Sequence, residues 1–401
     1  MMNRRMFLKS LTGLTVGMLL PPQTYAVTSS KSSDRLGDLL PTRVLGRTDQ
    51  AVTMLGVGGW HIGRMSEREA QATIEAALEE GVRFFDTAES YQSGGSESRL
   101  GQLLTLKYRD VIYLMTKTTA RDGAGAKRHL EDSLRRLKTD HLDLWQVHAV
   151  ESPEDVDGRI QHGVFDAMVE AKESGKARHI GFTGHTRPAA HQRVLEKTDI
   201  FDTCQMPINL ADPSYESFIE GVLPKLVERK IGVLAMKSLA NGGFFGGSQH
   251  GEHGDNPKLV PNRVSIAEAI HFVWSQPVSV LITGPDNAEQ MKEKIALARS
   301  FVKMDEKQRQ ALVKKVADLA GRRVEFYKAW NAREKARKKS GCLPHQGDKL
   351  EVEKLLIPFG ELKHWRIYVM LSCLLIKKTL VLVGNWSFLL VWAKKTKMDM
   401  T

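Results

Sequence analysis

Asp86, Tyr91, Lys117 and His148 are four proton-active side chains of four different types, each at or just beyond the end of an apolar run. A tyrosine hydroxyl, with an ordinary pKa of about 10, keeps its proton at neutral pH and is a weak acid unless something favours its phenolate. A neighbouring lysine ammonium would stabilise that anion, and an aspartate would keep the lysine charged and aimed. A neutral histidine could hydrogen-bond a substrate oxygen and orient it. Together the four would protonate a carbonyl oxygen as charge develops on it. No side chain can supply the accompanying hydride, so a nicotinamide cofactor is implied. Taken singly, a histidine or tyrosine at a strand end is ordinarily structural, so the reading depends on a scaffold that brings all four to one mouth.

Such a scaffold is legible in the alternation of the chain. After a hairpin-like start (Arg43-Val44-Leu45-Gly46, then Val52 to Gly56), apolar strands are predicted at 54–58, 83–86, 111–117, 142–148, 179–183, 203–206, 233–237 and 280–283. Helices are predicted between and after them at 67–80, 128–137, 164–173, 189–196, 218–229, 266–274 and 288–298, with Ala70, Ile74 and Leu78 on one face of the first. This pattern, over about 250 residues, predicts an α/β (β/α)8 TIM barrel with an N-terminal β-hairpin, whose chemistry sits at the C-terminal rim of the strands. An open doubly wound sheet is the weaker reading, because Gly56, Gly58 and Gly59 are not followed by a recognisable helix start.

Gly81-Val82-Arg83-Phe84-Phe85-Asp86-Thr87-Ala88-Glu89-Ser90-Tyr91, followed by Gly94-Gly95-Ser96-Glu97-Ser98-Arg99-Leu100-Gly101, resembles the signature of the aldo/keto reductases, a family of NADPH-dependent barrels. Met115-Thr116-Lys117 and Leu142-Asp143-Leu144-Trp145-Gln146-Val147-His148 follow in the same order. The resemblance implies Tyr91 as general acid, Lys117 and Asp86 as its tuners and His148 as substrate orienter, with NADP as cofactor and NAD as the alternative. It also implies a carboxamide grip at Thr183, Gly184 and Gln205, where Gly184 stands in place of the usual asparagine. Cys204, next to Gln205, is read as core on the opposite face of the strand. Met236 stands where a stacking tyrosine is usual, and Lys237 and Leu239 follow it, with Lys237 read as a pyrophosphate ligand or else a solvated surface lysine. The helix start after strand eight suits an adenosine phosphate, with Gly284, Pro285 and Gln290 in place of the usual Lys, Ser and Arg and with Lys294 as a substitute charge.

The chain of 401 residues carries a formal charge of +11 and 42% hydrophobic residues, which excludes a disordered chain and, with three cysteines, a disulfide-stapled miniature domain. Residues 1–26 contribute Arg4, Arg5 and Lys9 and no acid, and residues 331–401 carry 14 basic and 6 acidic residues. The body between holds 41 of each sign, so it is not a polyanion binder. Residues 1–26 read as a twin-arginine export signal, with periplasmic delivery expected, residues 27–41 as a linker and 42–328 as the barrel. Residues 329–401 form a basic, then apolar extension. Lys377-Lys378 interrupts its apolar stretch, so a clean membrane span is not expected, and peripheral membrane or protein contact is. No Cys-x-x-Cys metal motif is present. His250, Glu252, His253 and Asp255 lie in a glycine-rich loop read as a lid, with no metal site expected.

The function expected is therefore hydride transfer between a nicotinamide cofactor and a small carbonyl compound. A nucleotide-binding sensor or accessory subunit with negligible turnover is the alternative.

Overall fold

A computed structural model describes residues 32–245 and 262–329. The proposed leader, the His250–Asp255 lid stretch and the extension beyond 329 lie outside the described residues. Eight parallel strands close into a barrel in sequential order: β1 (Leu55–Gly58), β2 (Phe84–Asp86), β3 (Tyr113–Thr118), β4 (Leu142–Val147), β5 (Ala177–Thr183), β6 (Thr203–Pro207), β7 (Gly232–Met236) and β8 (Val280–Thr283), with β8 pairing back to β1. The antiparallel pair Thr42–Val44 and Ala51–Thr53 precedes it. In the stretch read as a linker, Ser33–Asp34 pairs with Gly37–Asp38, and the Asp34 carboxylate accepts from Arg83 Nε at 2.6 Å.

Strand parity determines which residues meet at the rim. Phe84, Met115, Leu144, Leu234, Val280 and Ile282 form the inner core, joined by Leu45 and Val52 from the hairpin, which thereby plugs the N-terminal end of the barrel. Asp86 lies opposite Met115 in register, so it too faces inward, and Lys117 sits two residues beyond Met115 on the same face. His148 is an even number of residues beyond inward-facing Leu144. Gln205 lies opposite inward Leu234 and Thr183 lies opposite Gln205, while Met236 is two beyond Leu234. Because all strands are parallel, this face emerges at one rim. The alternate face packs on the helices: Trp145, Phe182, Cys204 and Val233 are fully buried in the outer core, as expected for Cys204.

The helices hold close to their predicted positions, with three kinds of correction. A six-residue helix, Gly59–Arg64, does start at the β1 glycines, and a Cβ at Gly59 would come 2.3 Å from the Asp86 carbonyl oxygen. The glycine there permits close approach of strand ends in a barrel. The stretch 218–229 is two helices, Phe218–Gly221 and Leu223–Glu228, parted at Val222 ahead of Pro224. Three further helices carried too little apolar periodicity to be recognised: Gly95–Leu100, Pro153–Gln161, which is capped by Ser152, and Glu306–Val316, which is capped by the Asp305–Gln308 box.

After the last helix the chain returns to the rim. Lys328, fully buried, donates to Asp212 Oδ1 at 2.8 Å and pairs with Glu325 at 2.9 Å. The Tyr327 hydroxyl donates to Glu325 Oε1 at 2.8 Å and accepts from Asn209 Nδ2 at 2.9 Å. These ties hold residues 324–328 against the loop after β6.

Candidate active site

At the rim, Lys117 Nζ is the hub. It donates to Asp86 Oδ1 in a very short contact, to the Thr87 carbonyl oxygen at 2.7 Å and to the Tyr91 hydroxyl at 3.3 Å. Asp86 ends β2 and Tyr91 follows in the loop. Lys117 is one residue from the end of β3, and His148, just past β4, places its ring 5.7 Å from that of Tyr91 in an edge-on arrangement. The structure thus brings together all four residues identified from the sequence.

Burial and charge set the protonation of each group. Burial works against the Lys117 ammonium, but Asp86 and Tyr91 outweigh it and hold the lysine above its usual value, so it stays charged. Burial raises the Tyr91 phenol above its usual value, with Lys117 pulling the other way, so the hydroxyl keeps its proton in the resting site and has a cation ready for its phenolate. Burial, with Lys117 and His185 adding to it, holds His148 well below the usual histidine value. A neutral imidazole can donate one hydrogen bond to a carbonyl oxygen. Ser90 Oγ stands 3.4 Å from His148 Nδ1, on the side that leaves Nε2 for the substrate.

The residues assigned to a cofactor divide into those that face the rim and those otherwise engaged. Gln205 is 2% exposed and its Oε1 has no hydrogen-bond partner among the described residues, a buried acceptor that a carboxamide N–H would satisfy. Thr183, beside it in register, ends β5 and is buried. At Gly184 a Cβ would meet the Val150 carbonyl oxygen at 2.5 Å and His191 Cε1 at 2.8 Å, so the space of an asparagine side chain is already filled. Gly184→Asn is accordingly expected to cost about 1–3 kcal/mol by overpacking, read as a lowered Tm with no gain in nucleotide affinity. An unchanged Tm would show that the loop gives way freely.

Met236 ends β7 half-buried, and Leu239 packs against the outer core. Lys237 is not a solvated surface lysine. It is half-buried, its Nζ donates to Asn241 Oδ1 at 2.9 Å and lies 5.8 Å from the Tyr327 ring centre, and burial, then Lys117, lowers its pKa to about 8. At the β8 end, a Cβ on Gly284 would lie 2.1 Å from the His61 ring, so His61 occupies the place of the usual lysine, with its Nε2 3.9 Å from Asp286 Oδ1. Gln290 is turned to its own loop, accepting from the Asp286 N–H at 2.9 Å, and its own N–H donates to Asn287 Oδ1 at 2.9 Å. One amide of that helix start is therefore already taken. Lys294 is 8% exposed, one turn from Gln290, and burial lowers its pKa while Glu293 and Asp286 oppose the shift.

Five contributors to the rim were not recognised from the sequence. Trp60, just after the β1 glycines, sets its ring edge-on to Tyr91 at 5.4 Å. Ser90 and the Thr87 carbonyl lie within the signature segment itself. His185, two residues past β5, is held neutral by burial, then by Lys237, against a backbone hydrogen bond with Tyr327, with its pKa lowered to about 3, and its Nδ1 has no hydrogen-bond partner among the described residues. The rim rule could have found Trp60 and His185, since each follows a strand end. Tyr327 could not have been found that way, because it arrives from the far end of the chain and packs edge-on to His185 at 6.1 Å.

Comparison with known proteins agrees with this geometry. The profile of the aldo/keto reductase family matches residues 54–317, about two thirds of the chain. An oxidoreductase of Bacillus subtilis, YqkF, is 27% identical over 293 residues, covering 64% of this chain and 91% of that protein. The B. subtilis aldo-keto reductase YhdN is 31% identical over 211 residues, covering 47% of this chain and 59% of that protein. Among solved structures, an aldo-keto reductase from Klebsiella pneumoniae in complex with NADPH superposes with a TM-score of 0.55 at 23% identity, covering 69% of this chain and 95% of that one. By its profile match, its closed barrel and its oxidoreductase relatives, the chain belongs to the aldo/keto reductase family of enzymes.

Proposed function

We propose that the protein reduces the carbonyl of an aldehyde or ketone, or oxidises the corresponding alcohol, with NADP(H) as hydride carrier and Tyr91 as general acid. The observation that carries this reading is the placement of the Lys117 ammonium between the Asp86 carboxylate and the Tyr91 hydroxyl, with neutral His148 across from it. NADPH is bound by the Klebsiella structure, and Gln205 and Thr183 offer this chain a polar socket for a carboxamide. The bound nucleotide would supply the hydride to the carbonyl carbon. His148 hydrogen-bonds the carbonyl oxygen and orients it. Tyr91 passes its proton to that oxygen as negative charge grows, and Lys117 stabilises the phenolate left behind. Asp86 keeps Lys117 charged and aimed. Trp60, edge-on to Tyr91 at 5.4 Å, stands beside the general acid.

The test is nicotinamide oxidation by the purified full chain, with NADPH and with NADH, across a panel of aldehydes and ketones. Turnover of at least one class is expected, and tight nucleotide binding with no turnover would overturn the enzyme reading in favour of a sensor.

On the same proposal, residues 1–26 direct the folded chain by the twin-arginine route to the periplasm, and the extension beyond residue 329 makes peripheral contact with a membrane or a partner. The paired Arg4 and Arg5 followed by Phe7-Leu8-Lys9 support it. Replacing both arginines by lysine is expected to leave the protein in the cytoplasmic fraction. Recovery of the unaltered chain, still carrying residues 1–26, from that fraction would sink the idea.

A further inference from the structure

Glu89 sits two residues before Tyr91, in the loop that carries the general acid away from β2, and its side chain is buried, with the residue 8% exposed. The backbone around it extends the β2–β3 ladder beyond the strand end. The Thr87 N–H donates to the Met115 carbonyl oxygen at 3.0 Å, and the Glu89 N–H to the Lys117 carbonyl oxygen at 3.3 Å. In a parallel ladder the next bond would run from the Thr119 N–H to the Glu89 carbonyl oxygen. Here the chain turns away instead, and the Tyr91 N–H bonds back to the Ala88 carbonyl oxygen at 3.1 Å. Glu89 Oε1 takes the open place in the ladder, accepting from the Thr119 N–H at 2.7 Å and from the Thr119 hydroxyl. His129 Nδ1, on the helix Gly123–Leu137, stands 3.2 Å from the same oxygen. The carboxylate thus completes the ladder where the backbone leaves it for Tyr91.

This clasp joins the general acid to its cation. Glu89 is two residues before Tyr91 and Thr119 is two residues after Lys117, so their bonds tie the loop of the acid directly to the strand of the lysine. On the far side of Tyr91 the backbone is strained: Gln92 and Ser93 have left-handed φ of 48° and 53°, and the Gln92 side chain fills the space that a Cβ on Gly63 would need. Such backbone persists where surrounding contacts over-determine it. The Tyr91 hydroxyl is 3.3 Å from Lys117 Nζ, at the long end of hydrogen bonding, so a small displacement of the loop parts them. Burial, Lys117 and Asp86 all act on the Tyr91 phenol more strongly than the Glu89 charge does. The carboxylate therefore matters to Tyr91 chiefly through where it holds the chain.

We propose that Glu89 is the positioning residue of the general acid, its reach to Thr119 holding the Tyr91 hydroxyl against Lys117. This rests on the reductase reading above and adds to it a residue that works through Tyr91.

The test separates reach from charge in two variants of the purified full chain, assayed with NADPH and the carbonyl that the unaltered chain reduces fastest. Glu89→Asp keeps the charge and withdraws the oxygen by one methylene. It is expected to lower kcat by about ten- to a hundredfold, as a misplacement on the order of 1 Å does, with KM and NADPH affinity within about threefold of the original. Glu89→Gln keeps the reach without the charge, and its kcat is expected to stay within about threefold. Oε2 has no hydrogen-bond partner among the described residues, so the amide that replaces it breaks none. Amide hydrogen exchange over residues 88–94 needs no turnover and is expected to quicken in Glu89→Asp alone, while protection of the barrel strands in the same measurement shows that the variant is folded. An unchanged kcat in Glu89→Asp, or a Glu89→Gln enzyme slowed as much, would overturn the inference and leave the reductase reading intact. So would a loss carried wholly by KM. A chain that turns over no carbonyl would overturn the reductase reading, and the exchange rates would then decide the clasp, equal rates in Glu89→Asp and the unaltered chain overturning it.

Discussion

Tyr91→Phe is expected to lower kcat for carbonyl reduction by about a hundred- to ten-thousand-fold while leaving nucleotide affinity within about threefold of the original. The change removes one oxygen and keeps the ring, whose edge-on contacts with Trp60 at 5.4 Å and His148 at 5.7 Å stay in place. The lost hydroxyl is the one group positioned to give a proton while being stabilised as an anion by Lys117 at 3.3 Å. Neutral His148 cannot replace it, because burial holds its pKa well below the usual value and leaves it without a proton to spare at neutral pH. Single-turnover reduction followed at the nicotinamide absorbance separates this from slow product release. A kcat within about threefold of the unaltered enzyme would remove Tyr91 from the mechanism.

Lys117→Met carries the second large effect, and it acts on the fold as well as on the chemistry. Lys117 and Asp86 are both almost wholly shielded, with side-chain exposures of 1% and 4%. Removing the lysine leaves a carboxylate in the barrel without its partner, a change that typically costs about 3–5 kcal/mol. Urea unfolding at neutral pH is expected to show that loss, and Lys117→Met/Asp86→Asn to recover most of it because no unpaired charge remains. Activity is expected to stay absent in both, since neither offers a cation to the phenolate. Recovery of activity together with stability in the double variant would reduce Lys117 to a structural role.

The pH dependence of this contribution has a definite sign. The folded-state pKa of Lys117 lies above the ordinary lysine value of 10.5, so the stabilisation is complete below that value and is lost as pH rises through the higher folded value. Neutral conditions therefore leave it untouched, whereas in acid Asp86, whose pKa burial raises, takes up a proton and the pairing that holds Lys117 up is lost.

How much of the site was legible depended on how local its causes were. Asp86 and Lys117 could be placed because they end apolar strand runs, and Gln205 only through the family resemblance; in the structure inward Met115 and Leu234 show that all three share one face. The helix Glu306–Val316 was missed for a complementary reason: among its residues only Leu312 and Val316 are buried, so its apolar face is too thin to show a period. Gly184 had looked like a lost contact. The neighbouring Val150 carbonyl and the His191 ring show that it is a packing requirement, which no local pattern could reveal. Gln290 looked like a ligand position, yet its carboxamide is committed to the Asp286 amide.

By itself the amino-acid sequence determined the alternation of strand and helix, hence a closed parallel barrel, and with it the face on which Asp86, Lys117 and His148 emerge. Those are consequences of side-chain period and chain direction, which are properties of a few successive residues. Only the tertiary structure decided the protonation of the four groups, since burial and the separations between strands set the pKa shifts. It alone decided that His61 fills the space beside Gly284, and that Tyr327 closes over His185 and Lys237 through a buried ionic tie between Lys328, Asp212 and Glu325. Contacts between residues so distant in the chain arise from the closure of the barrel, and no spacing along the sequence encodes them.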